Sequence, residues 1–392
     1  MERLPNHIHS GKSLAAAIGL LILTLCLITP AVVQAKTVTA DVVLLDHVLV
    51  FNRLGAQNVN GMIYALKRDV VDASGKPLSM GGTPTPGQVR LRDDKRPRPL
   101  VLRVSAGDTL VVNFTNLLTS AANPHPPLPD EANPCIGCNA TNPLQVLDDQ
   151  VAGRYAGFHV QGLQLVGGIT SAASYVGKNP NSLAPAGSSK TYTYYAEKEG
   201  TFLVTNYGAT FGGEGSGGQV SAGAFAVVTV QPAGSRYYRS QVTEEELRLA
   251  RTGTTTEGHP VLPFGVANQG YEAKYPNNEP WISEGKAGLP ILNMLDKDNN
   301  IVHSDINAII AGPNPDGRFP PSTYPLESQG ERNPTVPNRL EPYREFTIVF
   351  HDETIAANAF PAWFPPNLPI GHTTHGVRDS FMINYGSGGI GS

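Results

Sequence analysis

Charge and cysteine are both scarce in this chain. Only 16% of the 392 residues are charged and the net charge is −4, which argues against nucleic acid or any strongly acidic or basic partner. Of three cysteines, Cys26 lies in an N-terminal apolar run. That leaves Cys135 and Cys138, in "NPCIGCNA". No long apolar segment occurs after residue 35, so no later span anchors the chain in a membrane. Nothing in the order of residues assembles a Ser-His-Asp or Cys-His arrangement for nucleophilic catalysis.

What is present begins with a leader. Residues Met1–Lys12 carry Arg3 and Lys12, an apolar run follows over Leu14–Ile28 and ends at Pro30, and "VVQA" offers the small residue Ala35 for cleavage. The run is too short to span comfortably and lacks a stop-transfer flank, so residues 1–35 read as a secretory signal peptide. An uncleaved anchor is the alternative. The expected mature chain is secreted or periplasmic, with no membrane attachment after cleavage. Removing 35 of the 392 residues leaves 357, more than one core usually organises, so two units are expected.

From Thr37 to Pro232 the pattern is all-β. "KTVTADVVLLDHVLVFNR" is a first strand pair. In "LVLRVSAGDTLVVNFTNLL", Leu100, Leu102 and Val104 share a face, "AGD" turns, and Leu110, Val112 and Phe114 resume the alternation. This predicts a hairpin with Gly107 at its bend. The strand groups "AGFHVQGLQLV", "KTYTYYAEKEGTFLVTNYG" and "AGAFAVVTVQP" follow, separated by Gly- and Ser-rich loops, and together read as a sandwich or barrel. A charged helix comes next in "VTEEELRLARTG", where Thr243 and Glu246 have capping-box spacing and Gly253 lies beyond the end. Residues 254–342 are loop-rich. "REFTIVFHDE" starts a new strand, and the apolar "SFMINYGSGGIGS" with nothing after it to pair with reads as an interrupted domain.

These segments resemble the N-terminal part of the large bacterial multicopper oxidases, particularly those of manganese-oxidising type. "LRVSAGDTLVVNFTN" is similar to the segment that opens a cupredoxin core, "KEGTFLVTNYG" to a copper-domain strand, and "GAFAVVTVQP" to its closing strand. "FNRLGAQNVNGMIYALKRDVV", "VHSDINAIIAG" and "RDSFMINYGSGGIG" are similar to segments of the larger bacterial enzymes. The resemblance implies a cupredoxin-like Greek-key β-sandwich over residues 37–232. A helix and loop-rich connection over 233–344 follows, then the incomplete start of a second cupredoxin-like domain over 345–392. It also implies copper-dependent oxidation of metal ions or phenols with oxygen as acceptor.

The departures are specific. In the family, paired His-x-His motifs on neighbouring strands deliver imidazoles to a trinuclear copper cluster, since residues i and i+2 share a face. Here the first pair stands as His159-Val160-Gln161 and the second as Thr205-Asn206-Tyr207. An amide is a poor copper ligand beside imidazole. No "HCH" string exists for a type-1 site.

Other groupings carry rival readings. Cys135 and Cys138 form a local disulfide, ligate a metal with a histidine such as His125, or act as a redox pair. An exported chain favours the disulfide, which would contribute roughly 2 kcal/mol for so short a loop. His372 and His375 in "GHTTHGVRD", with His351-Asp352-Glu353, offer imidazole and carboxylate to a divalent metal or are surface polar residues. "DKDNNIVHSDIN" starts like a calcium loop at Asp296, Asp298 and Asn300, but has Ile301 for the central glycine and Asn307 for the bidentate Glu; a turn is expected. "GGEGSGG", Gly212–Gly218, lacks the strand–helix setting of a phosphate cradle.

Two functions follow. The first is a truncated, copper-free structural segment of an exported multicopper oxidase, inactive alone and packed on downstream cupredoxin domains or a partner copper-binding chain. The second is a stand-alone exported protein binding copper or another divalent metal through His159, His351, His372 and His375.

Overall fold

The computed structural model describes residues 35–50, 56–58, 61–120, 153–205, 219–262, 272–277, 282, 284–321, 340–351, 357–358 and 382–386. Residues 1–34, Cys135, Cys138, Gly212–Gly218, His372 and His375 therefore lie outside the described residues. Contacts divide the chain between Gln34 and Ala35, and the unit from Ala35 to Ser392 carries every element named below.

Two mixed sheets form a β-sandwich of the cupredoxin-like kind. In chain order the strands are β1 (Thr37–Asp46), β2 (Met62–Leu66), β3 (Leu100–Ser105), β4 (Thr109–Asn116), β5 (His159–Val160), β6 (Gln164–Leu165), β7 (Ser189–Tyr195), β8 (Gly200–Thr205) and β9 (Ala226–Gln231). One sheet has the order β6-β7-β4-β1-β2 and the other β3-β9-β8-β5. Each sheet contains one parallel pair, β1 with β4 and β3 with β9; the other pairings are antiparallel.

Alternation explains why these strands stack. Val38, Ala40, Val42 and Leu44 of β1, Leu110, Val112 and Phe114 of β4, and Tyr192 and Tyr194 of β7 point into one core. Across it stand Leu100, Leu102 and Val104 of β3, Val204 of β8, and Ala226, Val228 and Val230 of β9. Each fully buried Val, Leu or Phe contributes about 1.5–3 kcal/mol from its area alone. The buried tyrosines keep their hydroxyls satisfied, Tyr64 donating to the Gly157 carbonyl at 2.6 Å and Tyr192 to that of Ser182 at 2.6 Å. The opposite face of β1 is covered too. Val43 and Leu45 belong to a second cluster with Ile63, Leu78, Leu117, Phe225, Met382 and Tyr385.

One connection departs from the sequence expectation. β3 and β4 do not form a hydrogen-bonded hairpin, because they belong to different sheets. The chain arches over the edge of the core at Ala106–Asp108, with Gly107 at φ +91°, a conformation that glycine adopts without a Cβ penalty. Both strands alternate apolar residues toward the same core, so their pattern fits strands facing across a sandwich as well as strands paired side by side.

Beyond Gln231 the chain continues into β10 (Arg236–Arg239), α1 (Glu244–Ala250), β11 (Asn307–Ala311), β12 (Tyr343–Phe346), β13 (Phe350–His351) and β14 (Met382–Ile383). β10, β11 and β12 make an antiparallel sheet, and β13 pairs with β14. Tyr237, Met294, Leu295, Ile301, Ala308, Ile310 and Phe319 join the sandwich core. Tyr238, one residue on, turns the other way into a small cluster with Ala250, Tyr275 and Ile291. The helix starts at the expected capping box: Thr243 Oγ1 accepts from the Glu246 amide and Glu246 Oε2 from the Thr243 amide. At residues 296–300 the structure has a turn, in which Asp296 accepts from the Asp298 and Asn300 amides and from Asn300 Nδ2.

Candidate functional site

The strand pair that carries the sequence-predicted site is β5 and β8. They run antiparallel, with Val160 opposite Val204 and His159 opposite Thr205. Both valines point into the core. His159, Gln161 and Thr205 therefore share the other face. There the Gln161 amide Nε2 donates to Thr205 Oγ1 at 3.1 Å, and the Gln161 backbone N–H donates to the Leu203 carbonyl at 2.9 Å. Gly162 follows at φ +99°, where a Cβ would lie 2.9 Å from the Phe202 ring, so glycine is required to close this turn.

His159 is half-buried, and that burial lowers its pKa while a hydrogen bond to the Ala172 backbone opposes the shift. The ring is neutral at pH 7. A trinuclear copper site needs imidazoles at the i and i+2 positions of both strands. Among the described residues this face holds one imidazole, an amide whose nitrogen lone pair is delocalised, and a hydroxyl that the amide already engages. These residues do not fit the cluster.

His351 is also placed. It lies buried on β13 opposite Met382, with its ring edge-on to Phe225 at 4.9 Å between centroids. Among the described residues no group of three or more His, Cys, Asp and Glu is arranged to hold a metal ion.

Sequence reasoning missed a buried polar network on the far side of β3. Arg103 is 2% exposed. Its Nε donates to Glu345 Oε1 at 2.8 Å, Nη1 to the Asp305 carbonyl at 2.6 Å and Nη2 to the Ile306 carbonyl at 2.9 Å. Gln231 also binds Glu345, and the Tyr343 hydroxyl donates to Gln231 Oε1 at 2.8 Å. Arg239 joins Asp305 at 3.1 Å, Glu246 at 3.1 Å and the Tyr275 hydroxyl at 2.8 Å, while Tyr275 donates to Glu246 at 2.5 Å. Burial alone would raise the Asp305 carboxyl, but Arg239 and Arg98 outweigh it and hold it down at about 2.

His303 sits in this network with Nε2–H donating to the Pro290 carbonyl at 2.7 Å. Burial, with the Arg239 charge beside it, pushes its pKa down to about 3. A second set lies near Tyr275. Arg92 clasps Asp94 at 2.9 and 2.7 Å, Lys286 reaches Asp94 at 2.8 Å, and Lys95 pairs with Asp69 at 3.0 Å. For this second set the sequence signal was the mixed-charge run "RLRDDKRPR", which without a fold does not say which partners its charges meet.

No protein-family model matches this chain. No curated protein matches it either. Among solved structures, it is similar to a multicopper oxidase from Pseudomonas thermotolerans, at 17% identity and a TM-score of 0.26 over 50% of this chain and 30% of that one. Two others are the multicopper oxidase mgLAC, at 14% and 0.26 over 55% and 43%, and the copper nitrite reductase from Nitrosomonas europaea, at 14% and 0.24 over 50% and 42%. The chain thus covers 30 to 43% of the length of these proteins.

Proposed function

We propose that this chain is a structural, copper-free cupredoxin segment of an exported multicopper oxidase-like protein. Within it, residues 37–232 form the first domain, residues 233–344 the connection, and residues 345–392 the opening of a second domain. The observation that carries the reading is the Gln161–Thr205 hydrogen bond, which stands where the resemblance would put paired imidazoles. The fold and the strand pairing are kept while the ligands are exchanged for groups that bond to each other. In this reading the copper centres belong to other cupredoxin domains, downstream or on a partner chain. The oxidation of a metal ion or phenol takes place there, and the protein works outside the cytoplasm.

Copper loading tests this directly. The purified chain is equilibrated with Cu(II), dialysed, and assayed for retained copper and for oxygen uptake with Mn(II) and with a phenol. The expected result is far less than one copper per chain and no oxygen uptake. One tightly held copper without turnover would replace the proposal with a metal-binding role through His159, His351, His372 and His375. Oxygen-linked turnover would sink the structural reading altogether.

A further inference from the structure

The start of β1 is held by an unusual partner. The Lys36 backbone N–H donates to Asp108 Oδ1 at 3.1 Å, and the Lys36 carbonyl accepts from the Thr109 amide at 2.9 Å. Asp108 is 3% exposed and sits in the arch between β3 and β4. Its Oδ2 accepts from the Ser105 amide at 3.1 Å, and its own amide donates to the Ser105 carbonyl at 3.0 Å. The Lys36 side chain places Nζ over the Tyr237 ring at 5.5 Å from the centroid. Burial pushes the Asp108 carboxyl up, while the hydrogen bond from the Lys36 backbone and the charge of the Lys36 side chain pull it down. One residue earlier, Ala35 is exposed, and the compact unit of the chain begins at that same residue.

We propose that hydrolysis of the Ala35–Lys36 bond creates the amino terminus of the folded protein, and that the new Lys36 ammonium seats on the buried Asp108 carboxylate. The processing half rests on the reading of residues 1–35 as an export signal. An external endopeptidase adds one water across the amide, leaving a carboxylate on Ala35 and a primary amine on Lys36 that is protonated at neutral pH. The nitrogen that now donates as a peptide N–H is the atom that gains the charge, so it need not move. A hydrogen bond in which only the acceptor is charged becomes one in which donor and acceptor are both ionised. The carboxylate that burial disfavours gains a positive charge on the atom already bonded to it, in addition to the more distant charge of the Lys36 side chain. Removal of the leader thereby tightens the junction of β1 with the β3–β4 arch.

A double-mutant cycle separates the two halves. The amino terminus of the exported protein is sequenced, with Lys36 expected as its first residue. Independently, a chain bearing a tag cut immediately before Lys36 is compared with its uncut form, each with Asp108 and with Asp108→Asn. Asp108→Asn is expected to lower the folded-to-unfolded ratio about tenfold more in the cut chain than in the uncut one. Acylation of the α-amine in the native cut chain should also be slower with Asp108 than with Asn, a readout that holds even if the stability scale is compressed. Equal losses with unchanged amine reactivity overturn the ion pair and leave export untouched. A first residue other than Lys36 overturns the processing and removes this support for the export reading.

Discussion

Arg103 shows how a single buried charge joins two parts of the molecule. Its guanidinium binds Glu345 and two backbone carbonyls of residues 305 and 306. Arg103→Met would remove the charge partner of Glu345, leaving that carboxylate only the neutral donors Gln231 and Thr229, and would strip the Asp305 carbonyl of its guanidinium donor. A loss of about 3–5 kcal/mol is expected on breaking such a pair, checked by urea unfolding. A change within about 1 kcal/mol would mean that water replaces the guanidinium there. The residue was visible in "LRVSAGD", where the alternation of Leu100, Leu102 and Val104 puts Arg103 on the opposite face. What the pattern does not carry is that this face meets a second layer, built more than two hundred residues later. That His159 and Gln161 share a face was legible because period-two spacing within one strand alone decides it. The bond between Gln161 and Thr205 was not, since it depends on the register of β5 against β8.

Elements differ in how far their cause reaches along the chain. Helix α1 was legible because its signal is local: the box residues Thr243 and Glu246 are three apart, and both reciprocal bonds form. Thr243→Ala should cost about 1 kcal/mol, while Thr243→Ser should cost far less; thermal unfolding of the two variants checks this. Equal losses would show that packing, and not the cap oxygen, holds the helix start. The connection between β3 and β4 was misread because the evidence that separates a hairpin from an arch is non-local. It lies in the partners, β9 for one strand and β1 and β7 for the other. Strand β10 was hidden in what read as a helix and loop-rich connection over 233–344 for a related reason. The aromatic Tyr237 and Tyr238 are buried in different clusters, so neither face of β10 carries the polar half of an alternating pattern.

For the whole molecule, the buried titratable groups give a signed pH dependence. The folded pKa of His303, about 3, lies below the ordinary histidine value of about 6.5. The unfolded chain therefore binds the extra proton first, and the stability present above pH 6.5 is lost as the pH falls toward 3. The groups facing His303 are Arg239, Asp305 and Lys95, with the Tyr275 ring alongside. Asp305, held at about 2, adds a second loss below about pH 4. The urea midpoint should decline in two stages. His303→Gln, which keeps an N–H donor for Pro290, should flatten the stage between pH 6.5 and 4.5; an unchanged slope would assign that stage to another group. The two parallel strand pairs have a consequence in time as well. Among the described residues, β3, at residues 100–105, has no lateral partner until residues 226–231 have emerged. During synthesis the chain must therefore hold an apolar strand unpaired across more than a hundred residues. Such long-range closure slows folding. The interval of exposure, more than the depth of the final energy minimum, sets how much holdase protection this protein needs on its way to the folded state.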